Sequence, residues 1–115
     1  MPEFDSSFCI RIAGNTENPC LLALRAKGFN LTLSFTKDRE GNYSQDFDAE
    51  KDGKLFSATT AAELLGLISM WEVRGDDWKT NPDESIVYDE LYPSSITYDL
   101  EGNIIEIGDE EIRYK

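Results

Sequence analysis

Carboxylates are the chemically reactive groups that dominate this sequence of 115 residues. It contains 23 acidic and 11 basic residues, a formal net charge of −12, and no histidine. Histidine is the commonest general acid or base and the commonest metal ligand, so its absence removes both roles. Cys9 and Cys20 have no imidazole to activate them as nucleophiles, and two cysteines at this spacing form no metal-ligand set. We therefore expect no enzymatic activity and no cofactor.

Carboxylates have a metal-ligand spacing at one place in the chain. Asp48, Glu50 and Asp52 precede Gly53, which matches ligand positions 1, 3 and 5 and the glycine at position 6 of an EF-hand loop. Position 12 is Thr59, where a bidentate glutamate is needed, and a strand pattern precedes the loop. A β-turn with solvated charges is the preferred interpretation. The three acids stay as a calcium candidate, and a hydrolase that holds its metal through carboxylates stays as an alternative function.

The acidic excess is concentrated towards the end of the sequence. Residues 1–71 carry ten acids and seven bases, whereas residues 72–115 carry thirteen acids and four bases. Tryptophan and tyrosine lie among these acids. A carboxylate surface with exposed aromatic rings combines electrostatic steering with binding anchors, which favours a basic protein as the partner and disfavours nucleic acid and anionic membranes. The predicted partner-binding residues are Asp76, Asp77, Trp78, Asp83, Glu84, Asp89, Glu90 and Tyr92.

Cap and stop residues predict two helices, at about 19–27 and 61–73. Asn18 is a good N-cap residue, and the proline that follows it suits the first helical position. Thr60 and Glu63 have the spacing of a capping box, in which each side chain satisfies a backbone N–H group of the first turn. Leucine, isoleucine and tryptophan provide the apolar face of the second helix.

Alternation of apolar and polar residues predicts the strands. Phe8, Ile10 and Ile12 alternate within 7–13, and the clearest alternation lies at 29–36. Further strands are predicted at 43–49, 86–88, 96–98, 104–107 and 109–115. The predicted fold class is α+β: one domain over residues 1–115, with a mainly antiparallel sheet and both helices packed on one face.

Two turns share the pattern Asp-x-Glu-Gly-Asn, at 38–42 and 99–103. Glycine and asparagine tolerate a positive φ, and aspartate binds nearby backbone N–H groups. We interpret the two segments as the same turn chemistry used twice, and not as a duplicated unit.

A cytoplasmic location is expected from three features of the sequence. Its first residues are acidic and poor in apolar side chains, which is the opposite of a signal peptide. There is no apolar run of the length that spans a membrane, and the low cysteine count is typical of a reducing compartment.

The stretch Trp71-Glu72-Val73-Arg74-Gly75-Asp76-Asp77-Trp78 combines a helix end with tryptophan and acid. With this stretch, the small and strongly acidic α+β chain resembles the immunity proteins of bacterial toxin systems. The resemblance implies an intracellular inhibitor that occludes a cognate toxin domain, such as a nuclease with a basic cleft. It assigns no role to an individual residue. The charge pattern also fits a phage-type DNA-mimic inhibitor, or an accessory or structural protein whose charge serves solubility. The pattern does not predict an oligomeric state.

Overall fold

The computed structural model describes residues 7–108 and the backbone of residues 110–111. The chain divides into two compact units, Met1–Trp78 and Lys79–Lys115. Each unit contains helical turns and a three-stranded antiparallel sheet. The predicted α+β class is confirmed, whereas the single domain over residues 1–115 stays a prediction.

The first unit consists of three strands, two α-helices and one short 3-10 turn. Its sheet has the order β1-β2-β3, and both neighbouring pairs are antiparallel. The elements in chain order are the 3-10 turn Gly14–Thr16, α1 (Glu17–Ala26), β1 (Asn30–Lys37), β2 (Tyr43–Lys51), β3 (Lys54–Ala58) and α2 (Ala61–Arg74). The two predicted helices are confirmed.

The core of the first unit lies between its sheet and its two helices. Leu24 of α1 and Leu64 and Ile68 of α2 are fully buried and pack with Phe47 and Ala49 of β2. Successive side chains of a strand point to opposite faces, so these two β2 residues face the helices and their neighbours face away. Burying each large aliphatic side chain stabilises the fold by about 1.5–3 kcal/mol.

Helix α2 begins where the capping pattern predicts. The Thr60 hydroxyl accepts a hydrogen bond from the Glu63 backbone N–H at 3.1 Å and donates to the Glu63 carboxylate at 3.0 Å. The Thr60 half of the predicted capping box is therefore formed, whereas Glu63 binds the Thr60 hydroxyl and not a backbone N–H. Gly75 ends the helix with a φ of 85°. In contrast, α1 begins before the predicted position, with Thr16 as its N-cap residue. Pro19 is accommodated because N–H groups of the first turn have no partner within the helix.

The second unit is built around a short hairpin. Strands β4 and β5 pair on either side of the 99–103 turn, as predicted. The elements in chain order are α3 (Val87–Leu91), the 3-10 turn Tyr92–Ser94, β4 (Ile96–Tyr98), β5 (Ile104–Ile107) and β6 (Glu110–Glu111). Among the described residues of this unit, only Gly108 is buried. It has a φ of 58°, and a Cβ atom there would collide with the backbone of Pro93.

Two strand predictions are wrong. Residues 7–13 form no strand, and Phe8, Ile10 and Ile12 are 81%, 70% and 78% exposed. Alternation is a local property, whereas a strand also needs a neighbouring strand that completes its hydrogen bonds. The segment 86–88 contains the start of α3, whose first turn holds two acids that favour a helix N-terminus. Of the strand predicted at 109–115, residues 110–111 form β6, and residues 109 and 112–115 lie outside the described residues.

Candidate functional site

The face of the first sheet that points away from the helices is polar and acidic. Asp46, Asp48 and Glu50 of β2 lie on it, because they alternate with the core residues Phe47 and Ala49. Residues two apart on a strand are separated by about 7 Å, so the three carboxylates form a line along the central strand. We call these three residues the acidic row.

The neighbours of the acidic row leave its charge without local compensation. Cross-strand pairing places Asn30, Thr32, Ser34 and Thr36 of β1, Ser44 of β2, and Leu55 and Ser57 of β3 on the same face. None of the ten strand positions of this face is a lysine or arginine. By the same register, the strand lysines Lys37, Lys51 and Lys54 lie on the helix side.

The members of the acidic row differ in their hydrogen bonds. Glu50 accepts from the Gly53 backbone N–H at 3.2 Å and from the Asn30 amide at 3.4 Å. Asp46 and Asp48 are half-buried between the flanking strands. Within residues 7–108, neither of these two carboxylates has a side-chain hydrogen bond or an ion pair. Both carboxylates are therefore available to a cationic partner.

The predicted site residues that follow α2 have different surroundings. Asp76 accepts a hydrogen bond from Trp71 Nε1 at 2.8 Å and forms an ion pair with Lys54 at 3.1 Å. The Trp71 hydrogen bond, followed by the interactions with Lys54, lowers the pKa of Asp76. Asp76 therefore ties the end of α2 to β3, although its side chain stays largely exposed. Asp77 and Trp78 are exposed.

The other predicted site residues belong to the second unit. Asp83, Glu84, Asp89, Glu90 and Tyr92 are all exposed. Asp89 and Glu90 lie in α3, and the ring of Tyr92 stacks on that of Tyr88 with centroids 6.0 Å apart. The structure therefore brings an acid pair and an aromatic pair together on one short segment. Asp76, Asp77 and Trp78 lie on the other unit.

The calcium candidate is the hairpin turn between β2 and β3. Asp48 and Glu50 lie on β2, and Asp52 occupies the turn with a φ of 53°. An EF-hand needs a helix before this loop, whereas the structure has a strand there. Across the described part of the chain, no three His, Cys, Asp or Glu side chains are grouped so that they could hold a metal ion.

Known proteins provide no further guide to the site. No protein-family profile, curated protein or solved structure matches this chain. Among the residues that the structure describes, no helix combines the length and apolar character that crossing a bilayer requires.

Sequence reasoning missed the acidic row as a unit. The prediction of a strand at 43–49 followed its apolar residues, and Asp48 and Glu50 were interpreted as part of a β-turn with solvated charges. The signal was present, since acids at every second position of a strand must share one face. What the pattern did not show is that, in the described part of the first unit, both helices lie on the other face and no basic residue occupies a cross-strand position of this one.

Proposed function

We propose that the protein is a non-enzymatic acidic module that binds a basic surface of another protein. The observation that carries this proposal is the acidic row, with its two unpaired aspartates on a face that has no strand lysine or arginine. A uniform patch of one charge attracts the opposite charge over several ångströms and increases the association rate. The same charge repels phosphate backbones and anionic lipid headgroups.

The geometry of the row suits tight binding as well as attraction. Asp46 and Asp48 lie on the central strand of a packed sheet, so little conformational freedom is lost when a partner orders them. Thr32 and Ser34 lie directly opposite them on β1 and add hydroxyl groups that donate or accept hydrogen bonds. Arginine is the residue best suited to such a surface, because its guanidinium binds a carboxylate through two parallel hydrogen bonds.

We further propose that the module acts as an immunity-type inhibitor. A nuclease cleft presents lysine and arginine that bind phosphates, and carboxylates compete for those same groups. An inhibitor of this kind needs no catalytic residue, only a complementary surface that covers the cleft. The free thiols of Cys9 and Cys20 suit a reducing compartment, so we place this activity in the cytoplasm.

The segment of α3 and Tyr92 is the competing location for the binding surface. Its exposed Asp89 and Glu90 and the stacked pair Tyr88 and Tyr92 supply charge and aromatic contact area together. Aromatic anchors dominate the binding energy of many interfaces. Separate variants are therefore needed to decide which surface contacts the partner.

The test compares three double charge reversals that change the net charge equally. The first is Asp46→Lys with Asp48→Lys, and the second is Asp89→Lys with Glu90→Lys. The control is Glu40→Lys with Glu101→Lys, which alters two exposed turn residues. Partners captured by the unaltered protein from its host are identified by mass spectrometry and purified, and their association rates are then measured at several salt concentrations.

The acidic-row variant is expected to slow association at least tenfold and to flatten its salt dependence. The control is expected to change the rate by less than about threefold, as scattered surface charge would. A loss confined to the α3 variant would move the site to the second unit. Equal rates for all three variants and the unaltered protein would contradict the proposed function.

A further inference from the structure

Segment 7–13 has the composition of a strand but no strand partner. Phe8, Ile10 and Ile12 alternate with polar or small residues, and at least 70% of each of these side chains is exposed. Three large apolar side chains so close together are costly to leave in water, since each gains about 1.5–3 kcal/mol on full burial. An apolar surface beside an open strand edge would bury these side chains and would pair with the backbone of the segment.

The first unit has such a surface beside β1. In the described part of the chain, no strand pairs with the outer edge of β1. A groove of about 250 Å³ runs between α1 and β1, and Leu22 and Leu33 in its lining are about half exposed. Phe35, the next helix-side residue of β1, is 61% exposed. We call this surface the edge groove.

Long edge strands normally carry protection against pairing with another chain, such as an inward-pointing charge, a proline or a bulge. β1 is eight residues long and pairs with β2 in continuous register. Its only charged residue is Lys37, at the last position. The edge is therefore open to a further strand.

We propose that segment 8–12 of a second copy of this chain adds to the outer edge of β1 as a fourth strand. Two copies that exchange these segments reciprocally form a closed dimer with the same contact made twice. In each contact, the incoming strand supplies three apolar side chains, and the edge groove supplies Leu22, Leu33 and Phe35.

The side-chain alternation of the segment fits both faces of the sheet that receives it. With Phe8, Ile10 and Ile12 directed at the edge groove, Arg11 lies on the opposite face, the face of the acidic row. This follows in parallel and antiparallel pairing alike, because side chains alternate with a period of two. Arg11 then lies two strands from the acidic row and introduces a cation on a face that has none at its strand positions.

The strand comes from a second copy and not from the same copy, because local hydrogen bonds fix the backbone at the end of the segment. The Thr16 hydroxyl donates to the Ala13 carbonyl at 2.7 Å and accepts from the Ala13 N–H at 3.3 Å. The Thr16 N–H also donates to the Ala13 carbonyl, at 3.0 Å. These bonds fix the backbone just before α1, and with that backbone the apolar side chains of the segment stay exposed within their own copy.

The first test alters the incoming strand with a matched pair of substitutions. Ile10→Lys places a charge in the edge groove, whereas Cys9→Lys places the same charge on the opposite face, towards the acidic row. Both residues are exposed in a single copy, so neither substitution removes a core contact. Analytical ultracentrifugation is expected to show a dimer for the unaltered protein and at least a tenfold weaker dimer for Ile10→Lys. The Cys9→Lys variant is expected to keep the dimer.

The second test alters the receiving edge and then mixes the variants. Leu33→Lys is expected to weaken the dimer as Ile10→Lys does, and Ser34→Lys, on the opposite face of β1, is expected to preserve it. An Ile10→Lys copy retains an intact groove, and a Leu33→Lys copy retains an intact strand. Their mixture is expected to recover association that neither variant shows alone, because one of the two exchanges is complete.

Three results would overturn the proposal. They are a monomeric unaltered protein, equal weakening by Ile10→Lys and Cys9→Lys, or no recovery in the mixture. A monomer with amide hydrogens of residues 8–12 protected from exchange would show that the segment covers its own edge. The proposed function is tested by variants of the acidic row, Asp46 and Asp48, so either proposal can fail while the other stands.

Discussion

The two units of this protein owe their folded structures to different kinds of contact. In the first, Leu24, Leu64 and Ile68 are fully buried between two helices and a sheet. In the second, the buried position among the described residues is Gly108, which lies against the Pro93 backbone with a positive φ. The first unit is therefore stabilised by buried side chains, whereas the second requires a residue without a side chain where two backbone segments approach closely.

The surfaces of the two units also differ, in charge and in exposed apolar side chains. The first unit carries 13 acidic and 8 basic residues, and the second carries 10 and 3 in less than half the length. In the second unit large apolar side chains remain exposed, among them Ile86, Val87, Tyr88, Leu91 and Leu100. Exposed apolar residues grouped with charge are typical of contact surfaces. The buried side-chain core therefore lies in the first unit, and the second unit carries more negative charge and exposed apolar surface for its length.

The largest expected effect tests the side-chain core of the first unit. Leu64→Ala should lower the free energy of unfolding by about 2–5 kcal/mol, because it leaves a cavity at a fully buried position. The matched change Leu91→Ala, at an exposed leucine of the second unit, should alter it by less than about 0.5 kcal/mol. Urea unfolding followed by tryptophan fluorescence measures the first unit, and hydrogen exchange of the β4 and β5 amides measures the second. A loss at Leu91→Ala as large as that at Leu64→Ala would contradict the difference between the two positions.

The next largest effect is expected at two glycines of the second unit that have a positive φ. Gly102→Ala should cost about 1–2 kcal/mol, because its φ of 89° is unfavourable for a side chain. Gly108→Ala should cost about 1–3 kcal/mol more, because its Cβ also collides with Pro93. Hydrogen exchange of β4 and β5 amides measures the local opening energy. A smaller loss for Gly108→Ala than for Gly102→Ala would contradict the close backbone approach.

A smaller effect on stability is expected at the N-cap residues of α2 and α3. Thr60→Ala should cost about 1 kcal/mol, because it removes the acceptor of the Glu63 N–H. Ile86→Ala should remove no capping bond, since the Ile86 side chain makes none at the start of α3. Circular dichroism during urea unfolding compares the two variants. Equal losses would show that the Thr60 cap contributes little.

The smallest effect compares the two matching turns. Asp38 accepts a hydrogen bond from the Asn42 backbone N–H, and Asp99 accepts one from the Asn103 N–H, each at 2.8 Å. These bonds are the largest cause that holds the pKa of each carboxyl below its ordinary value of 3.8. The stabilisation is therefore present above pH 3.8 and is lost as the pH falls through the lowered value.

The titration of both carboxyls by carbon-13 NMR checks this prediction. Asp38→Ala and Asp99→Ala should destabilise their own turns near neutral pH and lose that effect in strong acid. Glu40→Ala is the matched control, because it keeps the backbone N–H groups of the first turn. A carboxyl that titrates at or above 3.8 would contradict the prediction for its turn, and a lowered pKa in only one unit would show that the two turns are not equivalent.

Much of the fold follows from local patterns that survive in the tertiary structure. The cap at Thr60 and the stop at Gly75 predict α2 because both act within one turn of the helix. The alternation in 29–36 predicts β1, and the hairpin at 99–103 follows from its turn residues. The same alternation fails for 7–13, because a local pattern does not say whether a neighbouring strand is present.

The candidate site was less predictable than the elements that carry it. The aspartates at 76 and 77 have the same residue type and neighbouring positions, yet the structure gives Asp76 two partners inside the first unit. Asp46 and Asp48 are separated by a core residue and appear as ordinary strand residues in sequence. They lack a neighbouring cation because the cross-strand register places all strand lysines on the other face.

The order of residues alone predicts α2, the two Asp-x-Glu-Gly-Asn turns and the excess of negative charge, since each depends on side-chain type and short-range spacing. Which carboxylates share a surface without a neutralising cation depends on strand pairing. Pairing joins residues far apart in the chain, and its register is set by burial of the apolar face. For this reason the acidic row and the edge groove become visible only in three dimensions.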